Sequence, residues 1–360
     1  MTARVDRLAA RLPEIGADLL LVTSLVNVRY LTGYTGSNGL VLIGREGVDR
    51  RTFVTDFRYV EQSAAEVDDA FDRTIAVREL IDTVPELVGD RPVTLAFEDA
   101  HMSVRTHEHL RQLLAPQVTL VSGGDQVEAL RVVKEPDEIR AIAEATKLAD
   151  AALRRIMEQG LAGRTEIEVA TALERQMIDL GADGPSFPSI VAAGPAGALP
   201  HAHPRDVTIG PGELVVIDWG AELDGYCSDC TRTLATGELD DETMETYDLV
   251  HRAQLAGLEA LHDGVSGRDA DAAARGVIDD AGHAEHFGHG LGHGVGLEIH
   301  EAPRLSKRSD SVLAAGNVVT VEPGVYLPGR FGVRIEDLVV VTESGCNILT
   351  GVPKELVTVG

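Results

Sequence analysis

Two apolar runs carry a carboxylate where a buried strand is expected: VVIDWG, with Asp218, and VVTVEPG, with Glu322. An ionised carboxylate in such surroundings is costly unless it is paired or bound to a cation, so both need a partner. Two further acids follow them, Asp229 in GYCSDCTRT and Glu336 in VRIED. Four clustered carboxylates repel strongly, and two divalent cations would balance their formal charge. Oxygen ligands with one imidazole suit hard to borderline ions, so Mn2+ or Co2+ is expected ahead of Zn2+.

The imidazole is expected within HAEHFGHGLGHGVGLEIHE, where five of the chain's twelve histidines are concentrated: His283, His286, His289, His293 and His300. Glycines at 288, 290, 292, 294 and 296 argue against a helix, so His289 and His293 are not a helical metal-binding pair despite their spacing. An extended glycine-rich path instead lets the backbone approach a ligand closely. For each histidine the competing reading is an exposed polar loop with no ligand role, and it weighs most on His283 and His286. Cys227 and Cys230 form a CxxC. Alternation along one continuous strand would put Cys227, Asp229 and Thr231 on one face and Ser228, Cys230 and Arg232 on the other. With no second CxxC in the sequence, a redox or zinc role is disfavoured. The sequence has no P-loop, dinucleotide-binding or GxSxG fingerprint.

Something must carry these acids to one place, and the second part of the chain reads as a repeat suited to it. At an offset of 104 residues Gly163 and Arg164 fall on Gly267 and Arg268, Gly212 falls on Gly316, and Asp218 falls on Glu322. Each half reads as helix, glycine-arginine loop, helix, then a β-rich segment ending in a carboxylate, with a second acidic strand following. This predicts a duplicated α+β domain with pseudo-twofold symmetry. Its first helix is expected at KEPDE with Pro136 as the first helical residue. Ile139, Ile142, Ala149, Leu153 and Ile156 share one face before Gly160, and the next helix opens on the capping-box pair Thr165 and Glu168. Ahead of that, short apolar runs such as Asp18 to Val22 and Val93 to Phe97 alternate with helical stretches, which predicts a small α/β domain. The boundary is placed between an N-terminal domain of residues 1–125 and a catalytic domain of residues 130–360.

The formal charge of -26 repels nucleic acid and anionic membrane surfaces, so neither is expected as a partner. Apolar residues at 44% and charged residues at 25% are ordinary globular values. The opening residues MTARVDRLAARLPEIG lack the apolar core of a secretory signal, and no stretch is long enough to span a bilayer. Three cysteines make no disulfide framework, and together these features lead to an expected cytoplasmic location.

Taken together, these segments closely resemble the pita-bread metallopeptidases that include Xaa-Pro aminopeptidase and Xaa-Pro dipeptidase (prolidase), over nearly the whole chain. The resemblance implies that Asp218, Asp229, His293, Glu322 and Glu336 hold the metal pair. It implies substrate contacts from His201, in SFPSIVAAGPAGALPH, and from His300, in LEIHE, with His289 and Arg334 supporting them. The strings NVRYLTGYTGSNG and VTDFRYVEQ resemble the non-catalytic N-terminal domain of the same peptidases. Creatinase shares both domains but lacks the metal ligands, which disfavours creatine hydrolysis. Methionine aminopeptidase usually lacks such an N-terminal domain. The implied reaction is metal-assisted hydrolysis of the bond before proline, with Glu322 as proton acceptor, carried out by a homodimer. Two other readings stay open: a peptidase of this fold without proline preference, and a non-catalytic metal-binding protein. Arg304 matches an arginine that binds the proline carboxylate in some prolidases. It also occurs in relatives acting as aminopeptidases, and the segment around His201 departs from the NxxxLHY form of the larger aminopeptidases P, so dipeptidase and aminopeptidase both stay open.

Overall fold

In a computed structural model describing residues 2–48 and 50–360, the chain divides into two compact units, Met1–Arg131 and Val132–Gly360. The first unit is built on the apolar runs. Strands β1 (Leu19–Val22), β2 (Leu40–Gly44), β3 (Arg51–Asp56), β4 (Asp72–Ala76), β5 (Val93–Phe97) and β6 (Val118–Ser122) form one sheet in the order β4-β3-β2-β1-β5-β6. Helices α1 (Thr2–Arg11), α2 (Leu25–Thr32), α3 (Val60–Glu66), α4 (Val84–Val88), α5 (Val104–Leu113) and α6 (Glu128–Arg131) accompany it. All four residues of β1 are buried, as a strand covered on both faces requires.

The second unit opens with α7 (Pro136–Gln159), whose Pro136 needs no amide partner in the first turn. Ile142, Ala145, Ala149, Leu153 and Ile156 are buried at helical spacing. Helix α8 (Glu166–Asp179) begins at the expected capping box, Thr165 accepting from the Glu168 amide and the Glu168 carboxylate accepting from the Thr165 amide. Strands β7 (Gly184–Pro185), β8 (Ile190–Ala193), β9 (Leu214–Trp219), β10 (Ala221–Leu223), β11 (Tyr226–Cys227) and β12 (Cys230–Ala235) complete the first half. Its counterpart runs through α9 (Asp241–Glu259), α10 (Gly267–Asp280), β13 (Gly292–Gly294), β14 (Glu301–Leu305) and β15 (Val318–Val321). Strands β16 (Gly324–Leu327), β17 (Phe331–Arg334), β18 (Asp337–Thr342) and β19 (Gly345–Ile348) close the chain.

The duplication is present in the pairing. One sheet runs β12-β9-β8, and the other contains β18-β15-β13 in the same sense, so β9 and β15 are both central strands. Gly212 and Gly316 each take a left-handed φ just before those strands. The match of Gly163 with Gly267 does not hold in space. Gly163 at φ 85° stands two residues ahead of the cap Thr165, and the residue two ahead of the cap Ser266 is Gly264, at φ 87°. Gly163 donates to Ile209 O as Gly264 donates to Leu313 O, which completes the correspondence. Gly267 is instead the first residue of α10. The identical glycine-arginine dipeptides mislead because the segment after the helix, from Asp179 to Ile209, is three residues shorter than its counterpart from Asp280 to Leu313, so the helix starts and the strands recur at different offsets.

Candidate active site

The two central strands deliver the first pair of acids. Asp218 lies near the end of β9, and Glu322 follows β15 directly, its amide held by Leu291 O. Asp229 and Glu336 sit in breaks rather than in strands. The expected unbroken strand from Cys227 to Arg232 is two strands, β11 and β12, separated by Ser228 and Asp229. The Ala221 amide donates to Ser228 Oγ at 2.9 Å, which diverts the chain there. Cys227 consequently packs with Ile142, Val295 and Leu338 instead of sharing a face with Asp229. Glu336 lies between β17 and β18, its amide donating to Thr231 O. Behind it, the buried Arg232 donates to the Glu336 carbonyl and pairs with Asp337 at 2.9 Å, clamping that backbone.

Ligand-type oxygens of Asp218, Asp229 and Glu336 come within 4.8 Å of one another. His293 joins them from β13, its Nε2 3.5 Å from Asp229 Oδ2 and 3.4 Å from Glu322 Oε1. The glycines around it permit a close approach: a Cβ on Gly292 would collide with the Thr320 carbonyl. His293 Nδ1 lies 3.1 Å from Gly294 O. A proton on Nδ1 satisfies that carbonyl and leaves the Nε2 lone pair facing the acids. Burial lowers its pKa to about 3, so the ring is neutral.

Burial, reinforced by the neighbouring carboxylates, pushes Asp229 and Glu336 well above the usual carboxylate range. Glu322 rises to about 7, burial outweighing the opposing Arg334. Among the described residues, the guanidinium in direct contact with these acids is that of Arg334, whose Nη2 bonds Asp218 Oδ2 at 2.6 Å. Its Nη1 donates to Tyr326 Oη at 2.9 Å, and Tyr326 Oη lies 2.8 Å from His289 Nε2. His289 Nδ1 lies 2.8 Å from Gly290 O, and burial lowers its pKa to about 4. A neutral His289 therefore donates to Gly290 O and accepts from Tyr326. Thr231 joins the other branch, accepting from Arg334 Nε at 3.0 Å and donating to Glu336 Oε2 at 2.7 Å.

Two oxygens in this cluster, Asp218 Oδ1 and Glu336 Oε1, are buried without a hydrogen-bond partner. Orphaned carboxylate oxygens beside a neutral imidazole are expensive for an empty core and fit cations held there. His201 and His300 are exposed at the rim, the His300 ring edge-on to His293 with centroids 4.4 Å apart. Arg304 is exposed on β14, directly opposite His293 in the strand register. His201, Asp218, Asp229, His289, His293, His300, Arg304, Glu322, Arg334 and Glu336 all line one cavity of about 570 Å³. Phe187, Pro188, Ile190 and Ile299 give it an apolar wall. Sequence reasoning missed Thr231 as a hub, Tyr326 and the Arg232–Asp337 clamp. The available signal was the run of strand threonines and arginines alternating beside the acids.

The catalytic-domain profile of metallopeptidase family M24 matches residues 140–343, and the creatinase/prolidase N-terminal domain matches residues 4–133. The chain belongs to metallopeptidase family M24. Its second unit is a pita-bread catalytic domain. This M24 peptidase is 42% identical to an uncharacterized peptidase of Bacillus subtilis, covering 98% of this chain and 99% of that one. It is 34% identical to the Xaa-Pro dipeptidase of Pyrococcus furiosus over 99% of this chain and 100% of the other. Among solved structures, the Xaa-Pro dipeptidase from Bacillus anthracis superposes with a TM-score of 0.94 at 41% identity, each chain covered to 99%. The X-Pro aminopeptidase from Thermotoga maritima gives 0.88 at 37% identity, covering 97% of this chain and all of that one. Family M24 peptidases are metal-dependent, in keeping with the acidic cluster. No described helix is long and apolar enough to cross a membrane.

Proposed function

We propose that this M24 peptidase hydrolyses the peptide bond preceding proline, using two divalent cations, Mn2+ or Co2+, held by Asp218, Asp229, His293, Glu322 and Glu336. The observation that carries the reading is the partnerless pair of buried carboxylate oxygens beside the neutral His293, on the floor of a cavity large enough for a short peptide. Such cations acidify water and polarise a carbonyl oxygen. Glu322, with a carboxyl balanced near neutrality when no cation is present, accepts a proton from water and returns it to the departing proline nitrogen. His201 and His300, at the rim, donate hydrogen bonds to the substrate carbonyl as negative charge develops on it. Arg334 holds Asp218 in place, while Tyr326 and His289 hold Arg334.

Proline preference rests on the full-length likeness to an Xaa-Pro dipeptidase and an X-Pro aminopeptidase, and on the apolar wall of Phe187, Pro188, Ile190 and Ile299, which suits a pyrrolidine ring. A homodimer and a cytoplasmic location go with the same reading. The test is chelation: stripped protein should lose hydrolysis of Xaa-Pro peptides and regain it with Mn2+ or Co2+. Full activity in a metal-free sample would sink the metal claim, and equal rates on Xaa-Pro and Xaa-Ala peptides would reject the proline claim.

A further inference from the structure

Two histidines of the dense segment lie outside the cavity, and their placement has its own regularity. Helix α10 ends in a Schellman motif: Gly282, at φ 84°, donates to Asp279 O, and His283 donates to Ile278 O. A single 3-10 turn, Ala284–His286, follows, with the His286 amide donating to His283 O. Phe287 then anchors the segment, buried beneath the Arg275 guanidinium at 3.9 Å, while its carbonyl accepts from Arg275 Nη1. Between these fixed ends the two rings face each other, His283 Nδ1 and His286 Nδ1 lying 3.2 Å apart.

We propose that His283 and His286 form a second metal site, distinct from the carboxylate centre, that takes one borderline divalent cation such as Ni2+, Cu2+ or Zn2+. Metal–imidazole bonds are about 2.0–2.1 Å long, so donors 3.2 Å apart subtend about 100–105° at the ion, between square-planar and tetrahedral values. Little ring movement is needed. When no cation is bound, one Nδ1–H can point at the other ring's lone pair. Binding shifts that proton to Nε2 of the same ring, so both Nδ1 lone pairs face the ion and no proton is lost. Asp279, Asp280 and Glu285 flank the pair in sequence and supply negative charge, while the nearby Glu242 is already paired with Arg330. Water completes the coordination. Nitrogen donors separate this site chemically from the oxygen-rich one, where Mn2+ is favoured.

The test is equilibrium dialysis of Mn2+-loaded protein against Ni2+, with both metals counted per chain by atomic emission. Wild type should retain one Ni2+ per chain more than the His283→Asn/His286→Asn double variant. Each single variant should bind that ion at least tenfold more weakly. Circular dichroism and peptidase activity in Mn2+ serve as folding controls and should match wild type in all variants. Equal Ni2+ content in wild type and double variant would overturn the site and leave the pair as a hydrogen-bonded turn. That result is independent of whether Xaa-Pro peptides are the substrates.

Discussion

Replacing Thr231 by valine removes one hydroxyl and almost no volume from a position with no solvent exposure. That hydroxyl donates to Glu336 Oε2 at 2.7 Å and accepts from Arg334 Nε at 3.0 Å, so its loss affects two charged groups at once. Arg334 keeps its bonds to Asp218, Tyr326 and Pro200 O, and the arginine stays anchored. Glu336 loses more, because its Oε1 already has no hydrogen-bond partner. A hydrogen bond to a charged group contributes about 1.5–3 kcal/mol. At about 1.4 kcal/mol per factor of ten, this weakens the hold on Glu336 roughly 10- to 100-fold. That range matches what removing a partner behind a metal ligand typically does to metal affinity. The assay is activity of stripped protein titrated with Mn2+: the midpoint should rise roughly 10- to 100-fold in Thr231→Val. Thr231→Ser, which keeps the hydroxyl, should stay near wild type. An unchanged midpoint in the valine variant would refute the reasoning. So would a serine variant as impaired as the valine one, since the missing methyl would then be responsible.

Arg304 faces the cavity from the strand position opposite His293. If it reads the free carboxylate of a dipeptide, Arg304→Ala should raise KM for Xaa-Pro dipeptides and spare Xaa-Pro-Xaa tripeptides. Steady-state kinetics on both lengths decides it, equal losses would reject the role, and a wild type preferring tripeptides would assign aminopeptidase activity. Asp150 offers a pH test of stability, because burial raises its pKa from 3.8 to about 6 despite the bond from the Gly351 amide. Between those values the unfolded chain ionises while the folded one keeps its proton, so stability falls as pH rises, by up to about 3 kcal/mol above pH 6. Asp150→Asn should therefore gain stability over wild type at pH 8 relative to pH 4 in thermal melts, and an equal difference at both pH values would count against it.

Much of the site could be read from the chain because burial and charge conflict in plain view. Asp218 and Glu322 stand inside apolar runs, and the glycines around His293 exclude a helix. What could not be read depends on contacts between segments far apart in sequence. Thr231 is one of several strand threonines, and only its approach to Glu336 and Arg334 distinguishes it. Tyr326 looks like an ordinary strand aromatic until Arg334 and His289 converge on its hydroxyl. The break at Ser228 and Asp229 is set by Ala221 across a neighbouring strand, which no alternation pattern encodes. The helix starts of the repeat were misaligned because residue identity was matched where backbone conformation, Gly163 with Gly264, is what recurs.

The duplicated architecture divides the acidic cluster between its halves. Asp218 and Asp229 come from the first, and His293, Glu322 and Glu336 from the second, with the segment between β12 and α9 joining them. Neither half carries the whole proposed donor set, and without cations burial and mutual repulsion drive these acids to take up protons instead of sharing the seam as charges. In the proposed reading, a cation seated there would work as a rivet, adding to folded-state stability in proportion to the logarithm of its concentration over its dissociation constant. Cohesion of the domain and competence of the catalyst then share the same few atoms, so a substitution that loosens one must loosen the other.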